Sequence, residues 1–389
     1  MNPLKEKIIE KIRSEGPISF EAFMEMTLYY PGLGYYMKDS TEIGRMGDFY
    51  TSPHLHRIFG AMLGRQMEEM WGFMGCPELF QVIEMGAGMG HLAKDMLDYL
   101  SGVEGEGKEK DIFGHLEYTI IERNPSVRAR QKELLGDLPG KVAWYSDVGQ
   151  LPPAVGCYLS NELLDAFPIR LIEMDDELKE IYVATTSLSA LEEEESSDAD
   201  ALMELKRPCS SETRDYLREF SIDLSRGYKT EVNLRIRDWL REINDKLSEG
   251  FIMTIDYGYP SWDYYSEERS RGTLLCYHKH QIDEDPFQNI GEQDMTAHVN
   301  FSSLKKWGED GGLKTVGFCP QGVYLVSLGL DEVITEFYGD SLDPFDIAKI
   351  KGLILPQGMG ESHKVMIQYK GKGEPKLKGF TLRNQVGKL

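Results

Sequence analysis

Cysteine is scarce in this sequence: the five present, Cys76, Cys157, Cys209, Cys276 and Cys319, lie far apart and form no C-x-x-C pair. Neither a zinc knuckle nor a disulfide framework is indicated, and a reducing compartment is expected. Basic residues are in deficit, with 43 Lys and Arg against 65 Asp and Glu and a formal charge of −22. Such a chain repels nucleic-acid phosphates and anionic membrane surfaces, and no basic patch offsets the excess, so no nucleic-acid partner is expected. No stretch approaches the roughly 18 consecutive apolar residues of a spanning helix, so membrane insertion is not expected either. The opening Met-Asn-Pro-Leu-Lys-Glu-Lys has neither the apolar h-region of a secretory signal nor the Arg-rich, acid-poor character of a transit peptide, which predicts a cytoplasmic protein. Also missing is any G-x-x-x-x-G-K-S/T sequence, so ATP phosphates would have no cradle.

What is present is ordinary for a folded protein: 41% hydrophobic and 28% charged residues over 389 positions. That length suits an α/β domain of about 250 residues with additions, or two domains sharing an interface. Leu4, Ile8, Ile9 and Ile12 share one face of an opening helix, which Gly16-Pro17 ends. Residues 29–36 and 44–53 are rich in glycine and aromatics without either periodicity, and read as an ordered loop or lid. From residue 80 the pattern alternates. Phe80–Glu84 reads as a short buried strand, and Leu92, Met96, Leu97 and Leu100 form one face of the helix after it. Tyr118–Glu122 is a second strand, and Asn124-Pro125 supplies the N-cap and first residue of another helix. Val142–Tyr145 and Cys157–Ser160 make the third and fourth strands, Phe251–Ile255 a further buried strand, and His363–Tyr369 a closing one. Strands alternating with helices predict an α/β fold with a mostly parallel sheet covered on both faces, its ligands beyond the strand carboxyl ends. The predicted division is a helical and lid segment over 1–75, a Rossmann-like core over 76–184, an acidic insertion over 185–230 containing Glu192-Glu-Glu-Glu-Ser-Ser-Asp198, and the remaining core over 231–389.

The first strand-to-helix turn, Glu84-Met-Gly-Ala-Gly-Met-Gly90, places Gly86, Gly88 and Gly90 where missing β-carbons let a small molecule lie against the backbone. Their bland reading is a tight turn and nothing more. A dinucleotide fingerprint would need Gly or Ala where His91 stands, so NAD is disfavoured. Glu122, closing the second strand, suits the two hydroxyls of a ribose, or else caps a helix. Asp147, just past the third strand, could accept from an adenine amino group. Glu84 is an ionisable group in a buried run, costly unless a cationic or donor-rich ligand partners it. A ligand with ribose, adenine, ammonium and sulfonium but no phosphate, S-adenosylmethionine, fits these features better than a nucleotide does.

Directly after the fourth strand, Asn161 and Glu162 should project into the crevice beside a methyl donor, with Asp165 one short turn on. Displacement at a methyl group needs positioning more than a base. If the acceptor is a guanidinium, two carboxylates can draw positive charge from the attacking nitrogen. The alternative is that Glu162 and Asp165 cap a following helix. His278, His280 and His298 lie near acidic residues in the sequence, but methyl transfer needs no metal, and no metal site is expected.

Five blocks in order resemble the MidA-like family of methyltransferases: Gly47-Asp-Phe-Tyr-Thr-Ser-Pro53, Val82–Gly90, Asn161-Glu-Leu-Leu-Asp-Ala-Phe-Pro168, Ile255-Asp-Tyr-Gly258 and Thr296-Ala-His-Val-Asn-Phe301. The resemblance covers most of the chain. It implies a class I methyltransferase fold with an N-terminal cap and an inserted subdomain shaping a protein-substrate cleft. It also implies a cofactor site drawing on Asp48, Phe49 and Thr51 as well as Gly86, Gly88 and Glu122, and an acceptor side lined by Asn161, Glu162 and Asp165. The implied activity is methylation of a protein arginine, in this family on a respiratory complex I subunit. A small-molecule methyltransferase and an assembly factor that holds S-adenosylmethionine without turnover remain alternatives. The oligomeric state is not legible.

Overall fold

In a computed structural model, residues 2–38, 52–103, 110–136, 141–189, 200–279, 281–339 and 341–389 are described. Asp48, Phe49 and Thr51, the acidic run 192–198 and His280 lie outside them.

Seven strands form the central sheet: β1 (Phe80–Met85), β2 (Leu116–Ile121), β3 (Val142–Tyr145), β4 (Ala154–Asn161), β5 (Leu247–Tyr259), β6 (Lys314–Pro320) and β7 (His363–Lys370). Their order is β3-β2-β1-β4-β5-β7-β6, and Val299–Asn300 adds a short parallel pairing at the end of β5. The pairs among β1 to β5 are parallel, whereas β7 runs antiparallel to both neighbours. The alternating side chains of these strands serve two apolar layers. Val82, Ile120, Leu159 and Met253 pack under the helices Ile58–Phe73 and His91–Leu100. Ile83, Ile121, Tyr158 and Ile252 pack under Arg235–Lys246 and Phe301–Asp310. Burial on both faces is why these strands read as continuous apolar runs. The helix Ile58–Phe73 can lie close on His91–Leu100 because residue 60 is glycine: a β-carbon there would meet that of Asp95 at 2.5 Å.

A second, antiparallel sheet is built from Ile18–Ser19, Arg170–Met174, Leu178–Thr185, Leu202–Pro208 and Lys229–Val232. The helices Pro3–Glu15 and Phe20–Tyr29 bury Leu4, Ile8, Ile12, Phe20 and Phe23 against its Leu171, Ile181 and Val183.

Two expected boundaries need correction. The excursion from the central sheet begins just after β4, at residue 162, and not near 185, because the strands from Arg170 and Leu178 already pair in the second sheet. The helix Ile58–Phe73 belongs to the core and not to an N-terminal segment ending at 75, since its apolar stripe covers β1 and β2. Composition marked only the polar tip of the excursion, because its strands Arg170–Met174 and Leu178–Thr185 mix charged and apolar residues and carry no compositional break. Among the described residues, no helix is long and apolar enough to cross a membrane.

Candidate functional site

The carboxyl ends of β1, β2 and β4 open on one cavity of about 410 Å³, within the usual range for small-molecule sites. Glu84, Gly86, Gly88, Glu122, Asp147, Asn161 and Glu162 all reach its wall. Positive φ angles of 74°, 51° and 88° at Gly86, Gly88 and Gly90 carry the chain from strand to helix, a path that residues with side chains seldom follow. Gly90 takes the N-cap position of the helix His91–Leu100 and does not line the cavity.

Glu84 is buried on the sheet face beneath Ile58–Phe73, where Tyr118 on β2 donates its hydroxyl hydrogen to Oε2 at 2.8 Å. Burial pushes its carboxyl up to about 7, and the Tyr118 bond opposes that only in part. One side of the cavity thus carries a carboxyl group that no cation among the described residues meets, an acceptor that an ammonium-bearing ligand fits. Glu122 is mostly buried and its Oε1 accepts from the Asn124 N–H at 2.7 Å; burial raises its carboxyl, with the Asn124 bond pulling the other way. Asp147 is exposed, and its Oδ1 caps the turn Val148–Gln150 through the Gly149 N–H at 2.7 Å. That contact occupies one oxygen of the group expected to meet an adenine.

The opposite wall is formed where β4 ends. Glu162 sits in the left-handed region at φ 49°, a strained position for a glutamate, held by its N–H bond to the Ile255 carbonyl at 2.8 Å. Its Oε1 accepts from the Ser52 N–H at 3.2 Å and from Asn161 Nδ2 at 3.1 Å. Asp165 does not reach the cavity; it lies in a three-residue turn, Leu164–Ala166, buried behind the wall and bonded by the Tyr257 hydroxyl. Burial drives its carboxyl upward, with Glu162 adding repulsion. No α-helix follows, so neither Glu162 nor Asp165 acts as a helix cap.

Sequence reasoning had placed Asp256 only within a resemblance block, yet it holds this turn together. Its Oδ2 accepts from the Leu163 and Leu164 N–H groups at 3.2 and 3.0 Å. Burial, Asp165 and Glu162 raise its carboxyl, opposed by backbone N–H bonds. Asn161 Oδ1, Asp165 Oδ1, His298 Nδ1 and His363 Nε2 are buried without a hydrogen-bond partner among the described residues. Burial holds the His298 imidazole down to about 4. So many unmet polar groups in one place are rare in a finished core.

Three further features had no motif to announce them. Tyr29 and Tyr36 stack at 5.6 Å on the cavity rim. Arg235, Asp238, Trp239 and Glu242, one stripe of a helix, face the same space, and the Trp239 indole N–H reaches Met85 Sδ at 3.3 Å. His54 and His91 meet edge to face at 5.1 Å. A helical pattern is legible around Trp239 and Leu240, but which stripe of the helix faces a ligand depends on the sheet it covers. Among the described residues no three His, Cys, Asp or Glu side chains group as a metal would require, and His278 Nδ1 contacts the Glu292 carbonyl.

Comparison with known proteins agrees with the fold class. Residues 62–319 match the family described as S-adenosyl-L-methionine-dependent methyltransferases. The mitochondrial protein arginine methyltransferase NDUFAF7 of Rattus norvegicus is 26% identical over 385 residues, covering 93% of this chain and 83% of the relative. Its mitochondrial homolog in Caenorhabditis elegans is 28% identical, covering 85% and 77%. A superfamily member from Burkholderia thailandensis, whose crystal structure holds S-adenosyl-homocysteine, superposes with a TM-score of 0.85 at 32% identity, over 99% of this chain and 96% of that one. These relatives overturn the cytoplasmic expectation, since the curated ones are mitochondrial. Free cysteines mark only a reducing environment, which is not unique to the cytoplasm.

Proposed function

This chain belongs to the S-adenosyl-L-methionine-dependent methyltransferases, and from that premise we propose that it methylates an arginine side chain of a protein. The observation that carries the proposal is the anionic wall after β4. Glu162 and Asn161 face a cavity whose other side is the glycine turn, and the Asp165 and Asp256 carboxyls are buried behind them. A guanidinium is a planar cation with five N–H donors, and it suits a wall of carboxylate and amide oxygens. The names of the curated relatives point the same way. A respiratory complex I subunit or its equivalent is the target that the family resemblance suggests.

The bound cofactor supplies an electrophilic methyl group on a sulfonium. The roles proposed for the chain's own residues are to bind, orient and balance charge. Gly86 and Gly88 leave room for the donor, Gly90 sets the helix behind it, Glu84 meets its ammonium, Glu122 its ribose and Asp147 its adenine. Asp48, Phe49 and Thr51 are assigned to the donor side by resemblance alone. Asn161 and Glu162 orient the acceptor nitrogen. Asp165 acts from behind, holding the Tyr257 hydroxyl beneath the wall without touching the substrate. Glu162 needs no base strength to help: a fixed charge beside the attacking nitrogen stabilises the transition state in a site shielded from water.

The test is direct. The full chain is incubated with methyl-labelled S-adenosylmethionine and protein from cells lacking its gene, and the labelled protein is hydrolysed. Methylarginine in the hydrolysate is the expected product. Label confined to lysine, or to small molecules only, would overturn the arginine assignment.

A further inference from the structure

Methyl transfer to a guanidinium leaves a proton to remove. As the N–C bond forms, the S–C bond breaks and its electron pair stays on sulfur, turning the sulfonium into a neutral thioether. The attacking nitrogen must then shed one N–H proton so that the methylated guanidinium keeps a single positive charge. Glu162 is the carboxylate on the acceptor wall able to take it, and it must be emptied before the next turnover. While a protein segment fills the mouth of the cavity, a route outward through that mouth is closed.

A second way out lies behind Glu162. His363, the first residue of β7, places Nε2 3.7 Å from Glu162 Oε1, with side-chain exposures of 6% and 5%. That nitrogen makes no hydrogen bond among the described residues. Its Nδ1 stands 3.0 Å from Ser362 Oγ, and Ser362 is exposed. Neither residue lines the donor cavity. The Tyr257 ring, paired in register with His363 across β5 and β7, meets the imidazole edge to face at 5.0 Å and fixes its plane. Among the described residues Asp165 and His298 also interact electrostatically with this imidazole, and Lys364 follows it in the chain. An imidazole contacting a buried carboxylate on one side and a solvent-facing hydroxyl on the other has the two-ended form of a proton shuttle.

We propose that His363 relays the proton released by methyl transfer from Glu162 to solvent by way of Ser362, outside the lining of the cavity. It takes the proton at Nε2 and releases one from Nδ1, so the ring ends neutral and Glu162 ends ionised. His363 acts through Glu162 and does not touch the acceptor. The proposal rests on the methyl-transfer reading and on an acceptor atom that carries a proton, of which a guanidinium nitrogen is one.

The test compares H363A and H363Q with the native chain, in the full-length protein, by the rate of methyl incorporation into the same gene-deleted lysate. Binding of S-adenosylhomocysteine within threefold of native shows that the site is intact. The expected result is a fall of about a hundredfold in both variants, the low end of what a positioned proton carrier contributes. Added imidazole should restore rate to H363A, where it can enter the vacated space, and not to H363Q. A native rate in H363A would overturn the proposal, as would a loss that imidazole leaves unchanged while H363Q keeps its rate. Analysis of the methylated amino acid reports the acceptor separately. A product other than methylarginine defeats the arginine assignment while the relay is still judged by rate and rescue.

Discussion

The two walls of the cavity are built in opposite ways. The donor wall comes from one continuous stretch, residues 84–89, together with Glu122 and Asp147 just past the ends of β2 and β3. The acceptor wall is gathered from Ser52, from residues 161–165, from Asp256 and Tyr257 on β5 and from His363 on β7. The first is a backbone device, in which shape is set by conformations open to glycine. The second is a side-chain device, in which charged groups are held in a buried cluster and position depends on mutual support. A backbone device should fail all at once, and a cluster by degrees.

The sharpest break is Gly88→Val. A β-branched residue is strongly disfavoured at φ 51°, so saturable binding of S-adenosylmethionine should vanish in calorimetry, a loss of at least a hundredfold. A melting curve checks that the protein still folds. Next comes Glu162→Gln, which should leave S-adenosylhomocysteine affinity within threefold and lower turnover about a hundredfold, separating the two walls by function. Equal loss of binding in both variants would erase the distinction.

Glu84 provides a graded test of the donor wall. Because its carboxyl lies near 7 and not at 4.5, a cationic ligand should bind more tightly as pH rises through that region, by up to about tenfold per unit below it. Glu84→Gln should flatten this dependence. The same shift sets a trend in the cofactor-free protein. The folded state holds this proton more tightly than the unfolded state does. Its stabilising contribution is therefore complete below about pH 4.5 and is lost as pH rises through about 7, which chemical denaturation across that range would measure. The smallest effect expected is that of Tyr118→Phe, which removes the hydroxyl bond to Glu84 and should cost about 1–2 kcal/mol in denaturant unfolding at pH 8.

The same contrast explains what the sequence disclosed. Contiguous features were legible: the buried runs of β1 and β5, the Asn124-Pro125 helix start and the glycine turn all follow from local rules of period and conformation. Glu84 and Glu122 were legible because a carboxylate in or at the end of a buried strand needs a reason. Asp256 and His363 were not, since each is an unremarked polar residue in an apolar strand until register brings β5 between β4 and β7. Asp165 was expected on the cavity wall, but the tight turn after Leu163 points it into the protein instead. The second sheet was missed in part because Ile18–Ser19, two residues long, pairs with a strand some 165 positions later, a distance no local pattern reports.

The placing of β7 bears on synthesis. The last strand of the sheet to be translated is the one that sits between β5 and β6. A nascent chain that has not reached residue 363 leaves two facing strand edges unpaired, each a template for contact with another chain. It also lacks the histidine behind Glu162. The ribosome therefore delivers the donor wall early and the last support of the acceptor wall late. The cluster that supports Glu162 is complete only when the last strand of the sheet is in place.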